Sequence, residues 1–320
     1  ESPAAMGNAP SALEGCCGRD KITVPGKEAP APEDAWSPPE NPHIFSFSAN
    51  KELKVPSQYA TISEALEAAK TGDKIVIAPG NYSDSLRVTK SLEITGETGS
   101  VPPTIEASSV TALFIDGGAT QVRLSNLKLV VSESRGNFDN VVDNKSAFLV
   151  MEDCELIGGH WGVLVYEKGS AVLRRSTIKG CKDHGIFAKD KAQLWVSHCE
   201  VCDHGQSGIN VHGEDCSCTI VDSKVRGCKA NGVLVYGRAT LRMKSNQVSG
   251  NSHAGICVSD LHTHAEITGN RICDNGLQGI YVWEGGGAVI RSNDLRGNLH
   301  WSVSVAADCQ ANVTCSGNIE

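Results

Sequence analysis

Two Asp-His pairs stand close together in this 320-residue chain: Lys182-Asp183-His184 and Asp203-His204, with His160 about one repeat earlier. A carboxylate beside an imidazole supplies acid-base chemistry near neutral pH, so Asp183, His184, Asp203 and His204 are the candidate catalytic residues. The same pairs are also what a polar turn copied from repeat to repeat would carry. Leu261-His262-Thr263-His264 alternates two imidazoles and reads as a metal candidate or a solvated loop. Cys199-x-x-Cys202 and Cys216-x-Cys218 have spacings that zinc accepts, but both fall inside a strand pattern, and no metal site is assigned. His160, Trp161, Tyr166, Tyr236, Tyr281 and Trp283 gather around one recurring strand and form the candidate ligand-binding row, able to stack on a sugar ring or pack on a protein.

These residues are positioned by a repeat. A Gly or Ser followed by alternating aliphatics recurs at Gly162-Val163-Leu164-Val165, Gly185-Ile186-Phe187-Ala188, Gly208-Ile209-Asn210-Val211, Gly232-Val233-Leu234-Val235, Gly255-Ile256-Cys257-Val258, Gly279-Ile280-Tyr281-Val282 and Ser302-Val303-Ser304-Val305. The spacing is about 23 residues. A second short strand and a third apolar position follow each anchor, and nothing in the unit has helical periodicity. Three short strands per repeat predict an all-β, single-stranded, right-handed parallel β-helix of three-sided coils.

Two columns of small residues fit inside such a stack. One runs Cys154, Ser176, Cys199, Ser223, Asn246, Asn270, Asn293. The other reads Cys181, Cys202, Cys228, Asn251, Asn275, Asn298, with a two-residue bulge before Gly208 to accommodate Cys202. Asn columns bond along a stack and satisfy buried turns. Of the 13 cysteines, those at 154, 181, 199, 202, 218, 228 and 257 occupy such repeat positions, which favours small buried residues over a disulfide framework.

The flanks differ. Residues 1–50 are rich in Pro, Ala and Glu, bury little apolar surface, and are expected to be an extended tail held by a protein partner. The β-helix is expected over residues 51–320, with regular coils at 92–320. Thr61 and Glu64 have capping-box spacing, and Ile62, Leu66 and Ala69 share a face. A capping helix is therefore predicted near 61–70, covering the open end of the stack and stopped by Gly72. The formal charge of −8 argues against nucleic acid as a partner, and no segment has 18 uninterrupted apolar residues to span a membrane. The chain opens on Glu1, not Met, as expected of a processed organellar (for example plastid) or secreted protein.

The segment YATISEALEAAKTGDKIVIAPGNY, followed by GVLVYG-type coils, resembles the pectin-lyase-like right-handed β-helix superfamily. It looks most like the group holding periplasmic copper-site maturation proteins, alginate epimerases and the β-helix repeats of certain F-box proteins. The resemblance covers residues 55 to 320. It implies a scaffold that carries lyases, hydrolases, epimerases and inert binding modules. Lyases of this class use a Lys or Arg base and often Ca²⁺, so Ca²⁺ is the one cofactor to look for. The Asn-Thr-Asp, Asp-Asp and Gly-His-Gly pattern of polygalacturonases and the Asp-Pro-His signature of alginate epimerases are absent. The expected function is a non-catalytic scaffold or binding subunit of a larger assembly, held partly through the tail. The alternatives are a lyase or epimerase on an acidic polysaccharide, or a carbohydrate-binding module.

Overall fold

The computed structural model describes residues 50–116, 118–119, 121–133 and 139–320. The tail expected over residues 1–50, with its partner contact, lies outside the described residues apart from Asn50. The described strands form three parallel sheets that wrap one coil into the next. Wall 1 has 10 strands, from Leu86–Val88 to Val303–Val305, and contains the Gly-anchored strands. Wall 2 has 12, from Glu52–Val55 to Val313–Ser316, and wall 3 has nine, from Asn81–Ser83 to Arg271–Cys273. Alternation along each strand sends one set of side chains into a contiguous aliphatic core and the other outward.

The anchor must be glycine because consecutive coils approach closely there. A Cβ on Gly185 would lie 2.7 Å from the Gly208 carbonyl, and one on Gly232 2.6 Å from the Gly255 carbonyl. No described coil stacks beyond Ser302, and there the anchor is a serine.

The regular period begins later than expected. Leu86 pairs with Leu113 and Leu113 with Val142, separations of 27 and 29 residues, because the turns there are longer. From Val163 onward wall 1 keeps separations of 23 or 24. Wall 2 extends back to Glu52, at the start of the β-helix expected over residues 51–320.

The capping helix spans Ile62–Ala68. The Thr61 side chain accepts from the Glu64 N–H, and the Glu64 carboxylate accepts from the Ala60 N–H. Ile62, Ala65 and Leu66 are buried over the first coils. The helix ends when Ala69 turns extended, before Gly72, which shapes the following turn at φ +90°. Lys90 Nζ donates to the carbonyls of Leu66, Glu67 and Ala69, placing a cation on the free C-terminal carbonyls.

The first ladder is as read. Ser223 N–H donates to Asn246 Oδ1, Asn246 to Asn270, Asn270 to Asn293 and Asn293 to Asn318, each at 2.8–2.9 Å. The second ladder corrects the reading. His204, four residues before Gly208, fills the column between Cys181 and Cys228, and there is no two-residue bulge. Cys202 instead ends a wall 3 strand and pairs in register with Lys179 and Arg226. Among the described residues all eleven cysteines are free, and ten are buried. Burial pushes the thiols up, to about 12 at Cys154, Cys228 and Cys257, so they are protonated and inert at neutral pH.

Candidate functional site

The two Asp-His pairs are not equivalent. Asp183 lies in register with His160 and Gln206, since the Asp183 N–H donates to the His160 carbonyl and the Gln206 N–H to that of Asp183. Asp203 falls at another corner of the turn, in register with Gly180 and Gly227, in a left-handed conformation at φ +62°. That conformation leaves Asp203 exposed and turns His204 inward, where it is 0% exposed. The structure therefore does not bring Asp203 and His204 together with Asp183 and His184 as one acid-base group.

His204 acts as a ladder residue. Its Nδ1 accepts the Cys181 N–H at 3.2 Å, as Asn251 Oδ1 accepts that of Cys228 at 3.1 Å. Burial pulls its pKa down to about 4, with the Ile178 carbonyl and Asp203 opposing weakly. His184 has the same occupation in a third column. Its Nδ1 accepts the Ser207 N–H at 3.2 Å, as Asn140 accepts that of Trp161 and Asn231 that of Ala254. Accepting at Nδ1 fixes the neutral tautomer with the proton on Nε2. That Nε2 lies 2.8 Å from the Asn210 amide and 3.3 Å from Asp183 Oδ1. The Asn210 oxygen belongs on the side facing His184, which also gives that buried atom a partner.

Around His184 the outer face of wall 1 carries a continuous polar and aromatic strip. Asp183 sits between two imidazoles, with Oδ2 3.5 Å from His160 Nε2. Burial holds both His160 and His184 below the ordinary histidine range, while Asp183 pulls the other way. Trp161 packs on His160 at 4.7 Å and edge-on to Phe187 at 5.2 Å. Tyr166 holds Lys189 over its ring at 5.6 Å. Two strands from Phe187, Asp143 is nearly buried and bonded to Asn140 at 2.7 Å. Burial raises its pKa to about 6, against the pull of Asn140 and Lys189.

The six-residue row divides. His160, Trp161 and Tyr166 belong to this strip, Tyr236 stacks on His212 at 4.3 Å next to it, and Tyr281 and Trp283 form a separate stacked pair at 5.9 Å. The sequence reading missed Asp143, Phe187, Lys189, Asn210 and His212. A signal existed for two of these: between Phe114 and Tyr281 the outward column holds Asp143, Leu164, Phe187, Asn210, Leu234 and Cys257, and Asp143 and Asn210 are its polar members in that stretch. Among the described residues no group of three His, Cys, Asp or Glu is arranged to hold a metal ion, and His262 and His264 form no such group. No helix among them is long and apolar enough to cross a membrane.

A family model described as a right-handed beta helix region matches residues 111–217 and 207–319. SHC SH2 domain-binding protein 1 homologs B and A of Xenopus laevis are 26% and 25% identical to this chain over 158 and 159 residues. Those matches take in 47% and 48% of this chain but only 22% of each relative's length. Among solved structures, the Dettilon tailspike protein superposes with a TM-score of 0.57 at 15% identity, over 83% of this chain and 66% of its own. Pectate lyase Pel9A gives 0.54 at 12%, over 85% and 80%. The periplasmic alginate epimerase AlgG gives 0.50 at 11%, over 85% and 84%. At such identities the likeness concerns the fold.

Proposed function

The chain belongs to the right-handed beta helix family, and on that premise we propose that it is a non-catalytic binding subunit that presents the outer face of wall 1 to a protein partner. The observation that carries this reading is the occupation of His184 and His204. Each imidazole uses Nδ1 as an asparagine would, to hold a backbone N–H of a neighbouring coil. Neither can take up a proton at Nδ1 without breaking the stack, which removes both as free bases. What remains on the face is a rigid row of rings, His160, Trp161, Phe187 and Tyr166, suited to contact rather than turnover. The curated relatives are named for binding an SH2 domain, which supports a protein as the partner. The tail over residues 1–50 is the second contact in this reading.

A second reading has one observation in its favour. Asp183 between two imidazoles, with Asp143, its pKa raised to about 6, two strands away, could pass protons on an acidic polysaccharide as a lyase or epimerase does. The experiment is incubation of the full chain with alginate and with pectate, with and without Ca²⁺, following ultraviolet absorbance for unsaturated ends and proton NMR for epimerised units. The binding reading expects no product from either. Product formation abolished by Asp183→Asn would replace it with the enzyme reading. Saturable polysaccharide binding without product, lost in Trp161→Ala, would replace it with a carbohydrate-binding module.

A further inference from the structure

On the outer face of wall 1, Asp183 carries a charge that its surroundings do not balance. Its column runs Asp139, His160, Asp183, Gln206, each residue's N–H donating to the carbonyl of the one before. The carboxylate meets His184 Nε2 at 3.3 Å and His160 Nε2 at 3.5 Å, and no ion pair joins it to a Lys or Arg among the described residues. Neither imidazole neutralises it. His184 accepts the Ser207 N–H at Nδ1, so its one proton sits on Nε2 and goes to Asn210 at 2.8 Å rather than to Asp183. His160 Nε2 lies beyond an ordinary hydrogen-bond distance, and burial holds that imidazole below the usual histidine range. Among the described residues, Asp183 Oδ1 accepts no hydrogen bond. An ionised carboxylate offers about four acceptor sites, and at a partly buried position an uncompensated charge is costly.

The frame around this carboxylate is aromatic. Trp161 packs on His160 and edge-on to Phe187, and Phe187 meets His184 at 5.6 Å. Side-chain exposure is 29% at Asp183 and 17% at His160, so a group from outside reaches both. Of the cations at hand, Lys189 is drawn away, over the Tyr166 ring and to Asp190 at 3.5 Å, and Lys182 stands at the exposed rim one position before Asp183. Asp139 adds a second carboxylate next to His160 in the column. Rings with a carboxylate among them are the complement of a cation, which gains from the ring quadrupoles and from the charge together.

We propose that His160, Trp161, Asp183 and Phe187 receive an arginine side chain of the protein partner. The proposal rests on wall 1 as the contact face and names the chemistry of what it meets. A planar guanidinium lies flat on a ring while two of its N–H groups reach both oxygens of one carboxylate, which a lysine ammonium does not do. The two neutral imidazoles leave both oxygens of Asp183 without a strong donor, and that fork supplies one to each.

The test titrates the isotope-labelled full chain with two capped tripeptides, acetyl-Gly-Arg-Gly-amide and acetyl-Gly-citrulline-Gly-amide, and follows the Trp161 indole and the His160, Asp183 and Phe187 amides by NMR. Citrulline keeps the shape of arginine and loses its charge. Saturable shifts at these residues are expected, with the arginine peptide at least about fivefold tighter than the citrulline peptide. Asp183→Asn should remove that difference. The comparison of the two peptides on the unaltered chain stands whether or not that variant folds. Equal binding of both peptides at wall 1 would overturn the arginine and spare the contact face. Arginine shifts confined to walls 2 and 3, or no saturable shift with either peptide up to about 50 mM, would also overturn the arginine. The contact face itself stands or falls on the alginate and pectate experiment.

Discussion

A backbone N–H sealed between stacked coils needs an acceptor from the neighbouring coil, and a buried N–H without one costs about 1–3 kcal/mol. At Cys181 and Ser207 the acceptor is an imidazole nitrogen. The choice has a pH signature. The folded chain holds His204 near a pKa of about 4, whereas an unfolded histidine titrates near 6.5, so the folded pKa is depressed. As pH falls from about 6.5 to about 4, the unfolded state binds a proton that the folded state refuses, and up to about 3 kcal/mol of stability is lost. Asp143 works the other way over a similar range, because its folded pKa is raised, so the effect is isolated by comparing a variant with its parent. His204→Asn supplies the column's own residue and should flatten urea-unfolding stability between pH 7 and 5. An unchanged slope would show that His204 is not a buried neutral acceptor. His184→Ala should cost about 1–3 kcal/mol at pH 7, and His184→Asn should recover most of it, as the unfolding midpoints of the two variants would report. The sequence could not distinguish Cys202 from His204 as the column member, since cysteines stand at the same place in the coils before and after. The decision belongs to the left-handed backbone at Asp203, which selects the side chain that turns inward.

The strands, anchors and cap were legible because each follows from a short-range rule: period-two alternation, a glycine where coils touch, and capping-box spacing. The long coils before Val142 were not, because their extra residues lie in turns that leave the strand register intact. Two expected outcomes belong to this scale. Gly185→Ala adds a Cβ 2.4 Å from His204 Nε2 and 2.7 Å from the Gly208 carbonyl. Backbone cannot yield there cheaply, so a loss of about 1–3 kcal/mol is expected by chemical denaturation, while Gly99→Ala, whose added Cβ meets nothing within 4 Å, should cost clearly less despite its φ of +77°. Asn270→Ala, in the middle of the first ladder, leaves the Asn246 N–H and the Met243 carbonyl without their partner. It should cost at least about 2 kcal/mol. The outer face was the less legible part of the candidate site. Its chemistry depends on which turn residues meet across coils, and Asp183 reaches His160 and not Asp203 because Asp183 and His160 each stand two residues before their anchor glycine, whereas Asp203 stands five before Gly208.

A stack of coils is stabilised by nearest-neighbour contacts, so its ends set where it opens first. At the start, Ile62, Ala65 and Leu66 are buried by the capping helix. At the far end Val303 and Val305 are only partly buried, and Leu299 and Trp301 are 75% and 43% exposed. Amide exchange at Val303–Val305 should therefore outpace that at Ile209–His212 by at least about a hundredfold, roughly 3 kcal/mol of local stability. Equal protection would mean that another surface closes this end. The described residues then form a capped stack in which His184 and His204 serve the stacking, with a ring-lined face left for contact. The most direct test is the tautomer and titration of its side chains, read by long-range proton–nitrogen NMR on the full chain. The account predicts that His184 and His204 are both neutral with the proton on Nε2 at pH 7, and that His204 remains so at pH 5. A His204 that titrates near 6.5, or a His184 protonated on Nδ1, would contradict it and return both residues to the acid-base role.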